Sequence, residues 1–366
     1  MTASSSGTDR PTMNRPVLIM AGGTGGHIFP GLAVAAELAT RKVPVIWLGA
    51  DGGLETRLVP QHGLPLETLA ISGMRGKGLL TLLVTPLRLI RAVAATRAVL
   101  KRHAPRSALS MGGYAAAPGG IAAWLARIPV VVHEQNSVPG FTNRLLARFA
   151  RRVLAGFDDA FAGATWVGNP VRASIAALPQ PGERFRDRAG PLRVLVLGGS
   201  QGSHALNVAF PQALGRLKDL AIVVRHQCGP HHLERARRVY GASRVEVSVE
   251  SFIEDMAGAY AWADLVVCRA GALTLAELCA AGVASVLVPF PQAVDDHQTR
   301  NATQLVAQGA AVLAAEGADF ERRLADAIAT LAADPSRRLA MAEAARSLAK
   351  PDAASHIADV CLEVAA

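Results

Sequence analysis

With 366 residues, the chain exceeds the size at which one hydrophobic core stops growing, so two domains are expected. Hydrophobic residues make up 51% and charged ones 18%, which argues against a disordered chain and supplies material for two buried cores. The formal net charge of +9 calls for an anionic partner (phosphate-rich substrate, acidic lipid or nucleic acid), while 5% aromatics leaves a base-stacking platform poorly supplied.

In chain order, residues 1–14 are polar, without the apolar centre of a signal peptide, and are expected to form a disordered tail. Short apolar runs then alternate with longer helical patterns: Val17–Met20, Val43–Leu48, Val130–Val132, Val194–Leu197, Ile222–Val224, Leu265–Val267 and Ser285–Val288. Strand-like runs separated by helices predict the α/β class, with parallel sheets and crossover helices. A linker is expected over 178–190, where Pro179, Pro181 and Gly182 precede a charged stretch. No stretch reaches the ~18 apolar residues of a membrane span; the best, Leu79–Ile90, is interrupted by Pro86 and Arg88. Cys228, Cys268, Cys279 and Cys361 are scattered, with no CxxC pair, which favours a reducing compartment over disulfides or a zinc site.

The halves open alike. Gly22-Gly-Thr-Gly-Gly-His27 follows the first strand, and Gly198-Gly-Ser-Gln-Gly-Ser-His204 follows the strand ending at Leu197. Such turns let a backbone approach a ligand, and the next helix offers N–H groups to an anion. Tight strand–helix packing explains one such turn as well as ligand binding does; two, each with a hydroxyl (Thr24, Ser200), favour phosphate or sugar contact. Two doubly wound domains facing each other would place both turns at one cleft. Neither turn reads GxGxxG, which weakens a dinucleotide reading.

His27 stands where a general base would, although an isolated histidine is more often a packing or capping residue. His133-Glu-Gln-Asn136 follows the strand Val130–Val132, a position at which four polar residues favour function over filler. Thr274-x-x-Glu277 reads as a capping box with Glu277 at N3, or as a ribose-binding carboxylate beside a diphosphate-binding turn. Spacing alone leaves both open. Asp295-Asp-His-Gln298 is a solvated loop or a sugar-binding edge. No DxD triplet appears near a strand end, so no metal-chelating nucleotide-sugar site is supported.

Together Gly22–His27, Gly112-Gly-Tyr114, His133–Asn136, Gly168-Asn-Pro-Val-Arg172, Gly198–Gly202, Phe252-Ile253, Arg269–Thr274 with Glu277, and Asp295–Gln298 resemble the MurG family. This is the bacterial N-acetylglucosaminyltransferase family that makes the lipid-linked disaccharide precursor of peptidoglycan. The ordered set spans most of the chain and is specific where each motif alone is generic. The resemblance implies the GT-B fold, two Rossmann-like parallel-sheet domains facing across a cleft. Residues 15–171 would form an acceptor- and membrane-binding domain and 172–349 a UDP-N-acetylglucosamine-binding domain, with a C-terminal helix, 350–366, returning to the first. It places Arg172 and Ser200 at donor phosphate or nearby groups, Ile253 at uracil and Glu277 at the ribose hydroxyls. Ala272, Leu273, Thr274, Leu275, Ala276 and Gln298 would line the pyrophosphate and sugar, with Thr24, Gly25, Gly26 and Asn136 closing over the sugar from the other domain. His27, Tyr114, His133, Glu134 and Asn136 would meet the acceptor; His297 sits where the family varies.

The implied reaction is inverting: the acceptor's C4 hydroxyl attacks the anomeric carbon opposite UDP. Helix N-termini and Arg172 would stabilise the leaving diphosphate, so no cofactor or metal is expected. His27 is the first candidate for the base and Glu134 the reserve. From Thr68 to His133 there is no acidic residue, whereas Arg75, Lys77, Arg88, Arg91, Arg97, Lys101, Arg102, Arg106 and Arg127 are basic. Leu79, Leu82 and Leu83, with Arg88, Arg91 and Lys101, are therefore expected to dock on an anionic membrane; the alternative is that the leucines are core. The implied location is peripheral, on the cytoplasmic face of the bacterial inner membrane, with cell-wall synthesis or division proteins as further candidate partners and no nucleic acid. A dehydrogenase should show GxGxxG with an acidic residue ~20 positions on, and a nucleic-acid binder leaves the paired turns unexplained. A GT-B enzyme with a different lipid acceptor is the nearest rival.

Overall fold

The computed structural model describes residues 15–71, 79–241 and 245–365, with backbone alone for 79–85 and 294. The expected tail 1–14, as well as Arg75 and Lys77, lie outside the described residues. The chain divides into two units, each an α/β layer structure around one parallel sheet.

The first unit runs to Gln135, resumes over Pro139–Val167 and takes in the C-terminal segment from Asp352. Its strands are β1 (Val17–Ala21), β2 (Val45–Ala50), β3 (Leu66–Leu69), β4 (Ser107–Gly112), β5 (Val130–Glu134), β6 (Arg152–Ala155) and β7 (Thr165–Trp166), in the order β3-β2-β1-β4-β5-β6-β7. Every residue of β1 is buried, because a central parallel strand has helices on both faces. The run expected from Val43 starts two residues later: Lys42 takes φ +58°, and Val43 donates its N–H to Leu38, so both close the preceding helix. The C-terminal helix Ala353–Glu363 buries Ile357, Ala358 and Cys361 in the core shared with β1 and helix Gly25–Thr40. Ser107 Oγ donates to the Cys361 carbonyl at 2.7 Å, and Arg41 pairs with Asp359.

The second unit comprises Asn136–Val138 and Gly168–Pro351. Its strands are β8 (Leu192–Leu197), β9 (Ile222–Gln227), β10 (Glu246–Glu250), β11 (Leu265–Cys268), β12 (Ala284–Leu287) and β13 (Val312–Leu313), in the order β10-β9-β8-β11-β12-β13. The division falls at Gly168 rather than 172, and Lys350 stays with this unit, its side chain filling the space where Gly168 lacks a Cβ. The expected linker 178–190 is instead packed structure. Arg184 Nη1 donates to the Ala281 carbonyl at 2.6 Å, and Arg188 Nη1 to Asp264 Oδ1 at 2.7 Å. Guanidiniums satisfying helix-end carbonyls hold that charged stretch against the core.

In each sheet the order reverses at one point, between β1 and β4 and between β8 and β11. Ligands of open parallel sheets bind outside the carboxyl ends of strands at such a switch point. The glycine-rich turns follow β1 and β8, the strands that form these points.

Candidate functional sites

In the first unit three motifs meet at the ends of β1, β4 and β5. Gly113 stands at φ +91°, and a Cβ there would lie 2.3 Å from the Gly22 carbonyl oxygen, so the two glycine motifs touch backbone to backbone. At Gly112 an added Cβ would meet the His27 ring at 3.0 Å. Helix Gly25–Thr40 starts directly after Thr24, whose side chain makes no capping bond, and has no acidic residue in its first turn. Gly23, Thr24 and Gly26 are exposed there, and Tyr114 stands 46% exposed beside Gly23. His27 Nδ1 lies 3.0 Å from Gln135 Oε1.

His133, Glu134 and Gln135 are all buried. Glu134 Oε2 accepts from Gly140 N at 3.1 Å and Asn143 Nδ2 at 2.9 Å, and Gln135 Nε2 donates to the His133 carbonyl at 3.0 Å. Glu134 thus braces the following loop, which fits neither the reserve base nor a direct acceptor contact, and His133 is likewise turned inward. Asn136 falls with the second unit: Asn301 accepts from Ser137 N and Oγ at 3.0 and 2.8 Å and donates to Asn136 Oδ1 at 3.4 Å.

Sequence reasoning missed Glu55. Fully buried, it accepts from Gly23 N at 3.1 Å through Oε2 and from Ala50 N at 2.8 Å through Oε1. A Cβ on Gly22, Gly49 or Gly53 would strike its side chain. This carboxylate braces the first glycine turn from behind; nothing in an isolated acidic residue marks it as buried.

In the second unit, Ser203 caps helix His204–Arg216 by accepting from Leu206 N, and Ser200 is exposed in the turn before it. Gln227, also unforeseen, holds that turn with its amide, accepting from Gly199 N at 3.1 Å and donating to the Gly199 carbonyl at 3.0 Å. Gly202 at φ +79° packs against the Cys228 carbonyl, where a Cβ would sit 2.1 Å away.

Helix Ala272–Ala281 opens after β11 with Gly271 at the N-cap. Thr274 is therefore N3 and Glu277 lies one turn further on, which corrects the capping-box reading. Ala272 and Leu275 are buried, so this helix offers main-chain N–H groups and the half-buried Leu273, Thr274, Ala276 and Glu277. Glu277 Oε1 accepts from Arg172 Nη2 at 2.7 Å and Nε at 3.2 Å, while Oε2 accepts from Tyr260 Oη at 3.1 Å. Arg172, expected on the donor phosphate, thus rests on the expected ribose ligand. Ile253 is only 3% exposed, while Phe252 beside it is 55% exposed and presents the apolar surface of that loop. Gln298 Oε1 accepts from Phe290 N at 3.0 Å, and His297 begins helix His297–Ala307 after Asp295 and Asp296, both at positive φ.

Arg88, Arg91 and Lys101 are exposed on helix Leu79–His103, whose Ala92, Thr96, Val99 and Leu100 face the core. Leu87 and Ile90 are also exposed there, as are Trp124 and Leu125 on the neighbouring helix Ala116–Leu125. The side chains of Leu79, Leu82 and Leu83 lie outside the described residues. Among the described residues no helix is long and apolar enough to cross a membrane.

Two family models match: the glycosyltransferase family 28 N-terminal domain over residues 17–155 and the family 28 C-terminal domain over 193–357. The chain is 62% identical over 96% of its length to the UDP-N-acetylglucosamine--N-acetylmuramyl-(pentapeptide) pyrophosphoryl-undecaprenol N-acetylglucosamine transferase of Xanthomonas campestris pv. campestris strain B100, covering 82% of that protein. It is 59% identical to the transferase of the same name from Xylella fastidiosa strain M12, over 95% of this chain and 96% of that one. Among solved structures, Acinetobacter baumannii MurG matches with a TM-score of 0.83 at 38% identity, over 95% of this chain and 99% of that one. With two Rossmann-like units, a glycine turn at each switch point and this likeness along both, the chain belongs to the MurG family of GT-B glycosyltransferases.

Proposed function

We propose that the protein transfers N-acetylglucosamine from UDP-N-acetylglucosamine to the C4 hydroxyl of undecaprenyl-pyrophosphoryl-N-acetylmuramyl-pentapeptide, with inversion at the anomeric carbon. The observation that carries this is 62% identity, along 96% of the chain, to a transferase whose name states that donor and acceptor. The second unit supplies the donor site. The N-termini of helices His204–Arg216 and Ala272–Ala281 meet the diphosphate, and Glu277 accepts from the ribose. Preorganised N–H groups stabilise charge developing on the leaving UDP without reorganising, so the chemistry needs no metal. The first unit supplies the acceptor site, with His27 taking the hydroxyl proton and Tyr114 and the Thr24–Gly26 turn beside it.

The exposed basic and apolar residues of helix Leu79–His103 dock on the cytoplasmic leaflet that carries the lipid-linked acceptor. Lysine and arginine near an anionic leaflet contribute about 1 kcal/mol each, and adjacent apolar side chains dip into the interface. The test is transfer of radiolabelled sugar from UDP-N-acetylglucosamine to this acceptor, with and without EDTA. Equal labelling in both is expected. Loss with EDTA that magnesium restores would overturn the metal-free chemistry, and no labelling of this acceptor under either condition would overturn the acceptor assignment.

A further inference from the structure

Tyr260 lies on the short helix Met256–Trp262, completely buried, and no sequence motif pointed to it. Its hydroxyl donates to Glu277 Oε2 at 3.1 Å, on the opposite side of the carboxylate from Arg172, which takes Oε1. A carboxylate held at one oxygen rotates about its terminal torsion, because that torsion is broad. Held at both, it presents its remaining lone pairs in one orientation. Burial, and next the neighbouring carboxylate, push the Tyr260 phenol well above its ordinary range, so the group stays a donor. Buried tyrosine hydroxyls need an acceptor, but any main-chain carbonyl would serve that end. Here the acceptor is the carboxylate of helix Ala272–Ala281 that is assigned to the ribose.

We propose that Tyr260 is a positioning residue for donor recognition: its hydroxyl orients the Glu277 carboxylate so that both ribose hydroxyls can donate to it. The inference rests on the reading of Glu277 as the ribose ligand. Tyr260 itself touches no substrate. Its contribution is to binding, shared by ground and transition states, so it shows in the donor KM and not in kcat.

The experiment measures kcat and donor KM of the full chain and of Tyr260→Phe, which removes one oxygen and keeps the ring in the core. The donors are UDP-N-acetylglucosamine and its 2′,3′-dideoxyribose counterpart. For the natural donor the variant should raise KM by about tenfold, the scale of losing one hydrogen bond to a charged group. For the dideoxy donor the two proteins should have equal KM, since no ribose hydroxyl remains to be oriented. On a Glu277→Gln background Tyr260→Phe should add little, because the coupled pair is already broken. If the parent protein handles both donors alike, the ribose reading falls and this inference with it. If the parent discriminates but Tyr260→Phe raises KM equally for both donors, or for neither, the ribose reading stands and Tyr260 is only a core residue. Thermal melting of the variant checks that it is folded in every arm.

Discussion

His27 Nδ1 sits 3.0 Å from Gln135 Oε1, and the Gln135 amide is turned that way because its Nε2 donates to the His133 carbonyl. A carbonyl oxygen can only accept, so Nδ1 carries the ring proton and a neutral His27 has its free lone pair on Nε2. That is the tautomer a general base needs. His27→Ala should lower kcat by at least about 10²-fold with UDP affinity nearly unchanged. Gln135→Leu should lower kcat by roughly tenfold by releasing the tautomer. Steady-state kinetics with UDP titration decide it: a near-normal kcat in His27→Ala removes the base from this side chain.

Glu277→Gln should raise the donor KM by about tenfold or more while the melting temperature moves little. The helix is capped at Gly271, so no capping bond is lost. Unchanged donor binding with a large drop in melting temperature would make Glu277 structural.

Glu55→Gln leaves a single acceptor oxygen for the N–H groups of Gly23 and Ala50. One of these donors then faces the amide NH2 group and goes unpaired, at a cost of about 1–3 kcal/mol in urea unfolding. The acceptor KM should rise as well, because the turn Gly22–Gly26 loses its brace. Wild-type stability and kinetics would show that the carboxylate does not hold the turn.

Burial holds the imidazole of His226 down to about 4, from an ordinary 6.5. As pH falls through 6.5 the unfolded chain binds the proton first, so this group's contribution is complete above 6.5 and is lost by pH 4. The loss amounts to about 3 kcal/mol. His226→Gln, which keeps an acceptor for Tyr240 but does not titrate, should flatten the fall in stability over that window relative to the parent. Parallel curves for the two proteins would remove His226 as the acid-sensitive group.

Changing Arg88, Arg91 and Lys101 together to glutamate should weaken binding to anionic vesicles, most clearly at low salt, since exposed charges are screened over about 8 Å at physiological ionic strength. Donor binding and activity on a short water-soluble acceptor should survive. Normal vesicle binding, or equal loss on soluble and lipid-linked acceptors, would refute docking by this helix.

Much of the fold was legible because parallel strands are buried on both faces and read as apolar runs: β1, β2, β5, β8, β9, β11 and β12 all announced themselves in this way. The missed strands lack that signature. β4 reads Ser-Ala-Leu-Ser-Met-Gly, and β10 alternates as Glu-Val-Ser-Val-Glu at a sheet edge. β3 (Leu-Glu-Thr-Leu) and β6 (Arg-Val-Leu-Ala) are short and carry polar residues, and β7 and β13 have two residues each. The glycine turns were legible too, since only glycine tolerates the backbone approach that Gly113 makes to Gly22.

What the sequence by itself determined was therefore local: the two-unit α/β organisation, the turns that open each unit and the polar segments at strand ends. Tertiary structure alone decided which polar residues stand exposed at the strand ends and which are buried behind them as braces. Glu55, Gln135, Gln227, Tyr260 and Asn301 act on partners between 17 and 165 positions away, apart from local bonds within a few residues. A hydrogen bond between distant residues leaves no periodicity and no spacing. It exists only once the sheet order brings the ends of separate strands side by side, where burial makes every unpaired polar group costly and so fixes each partner.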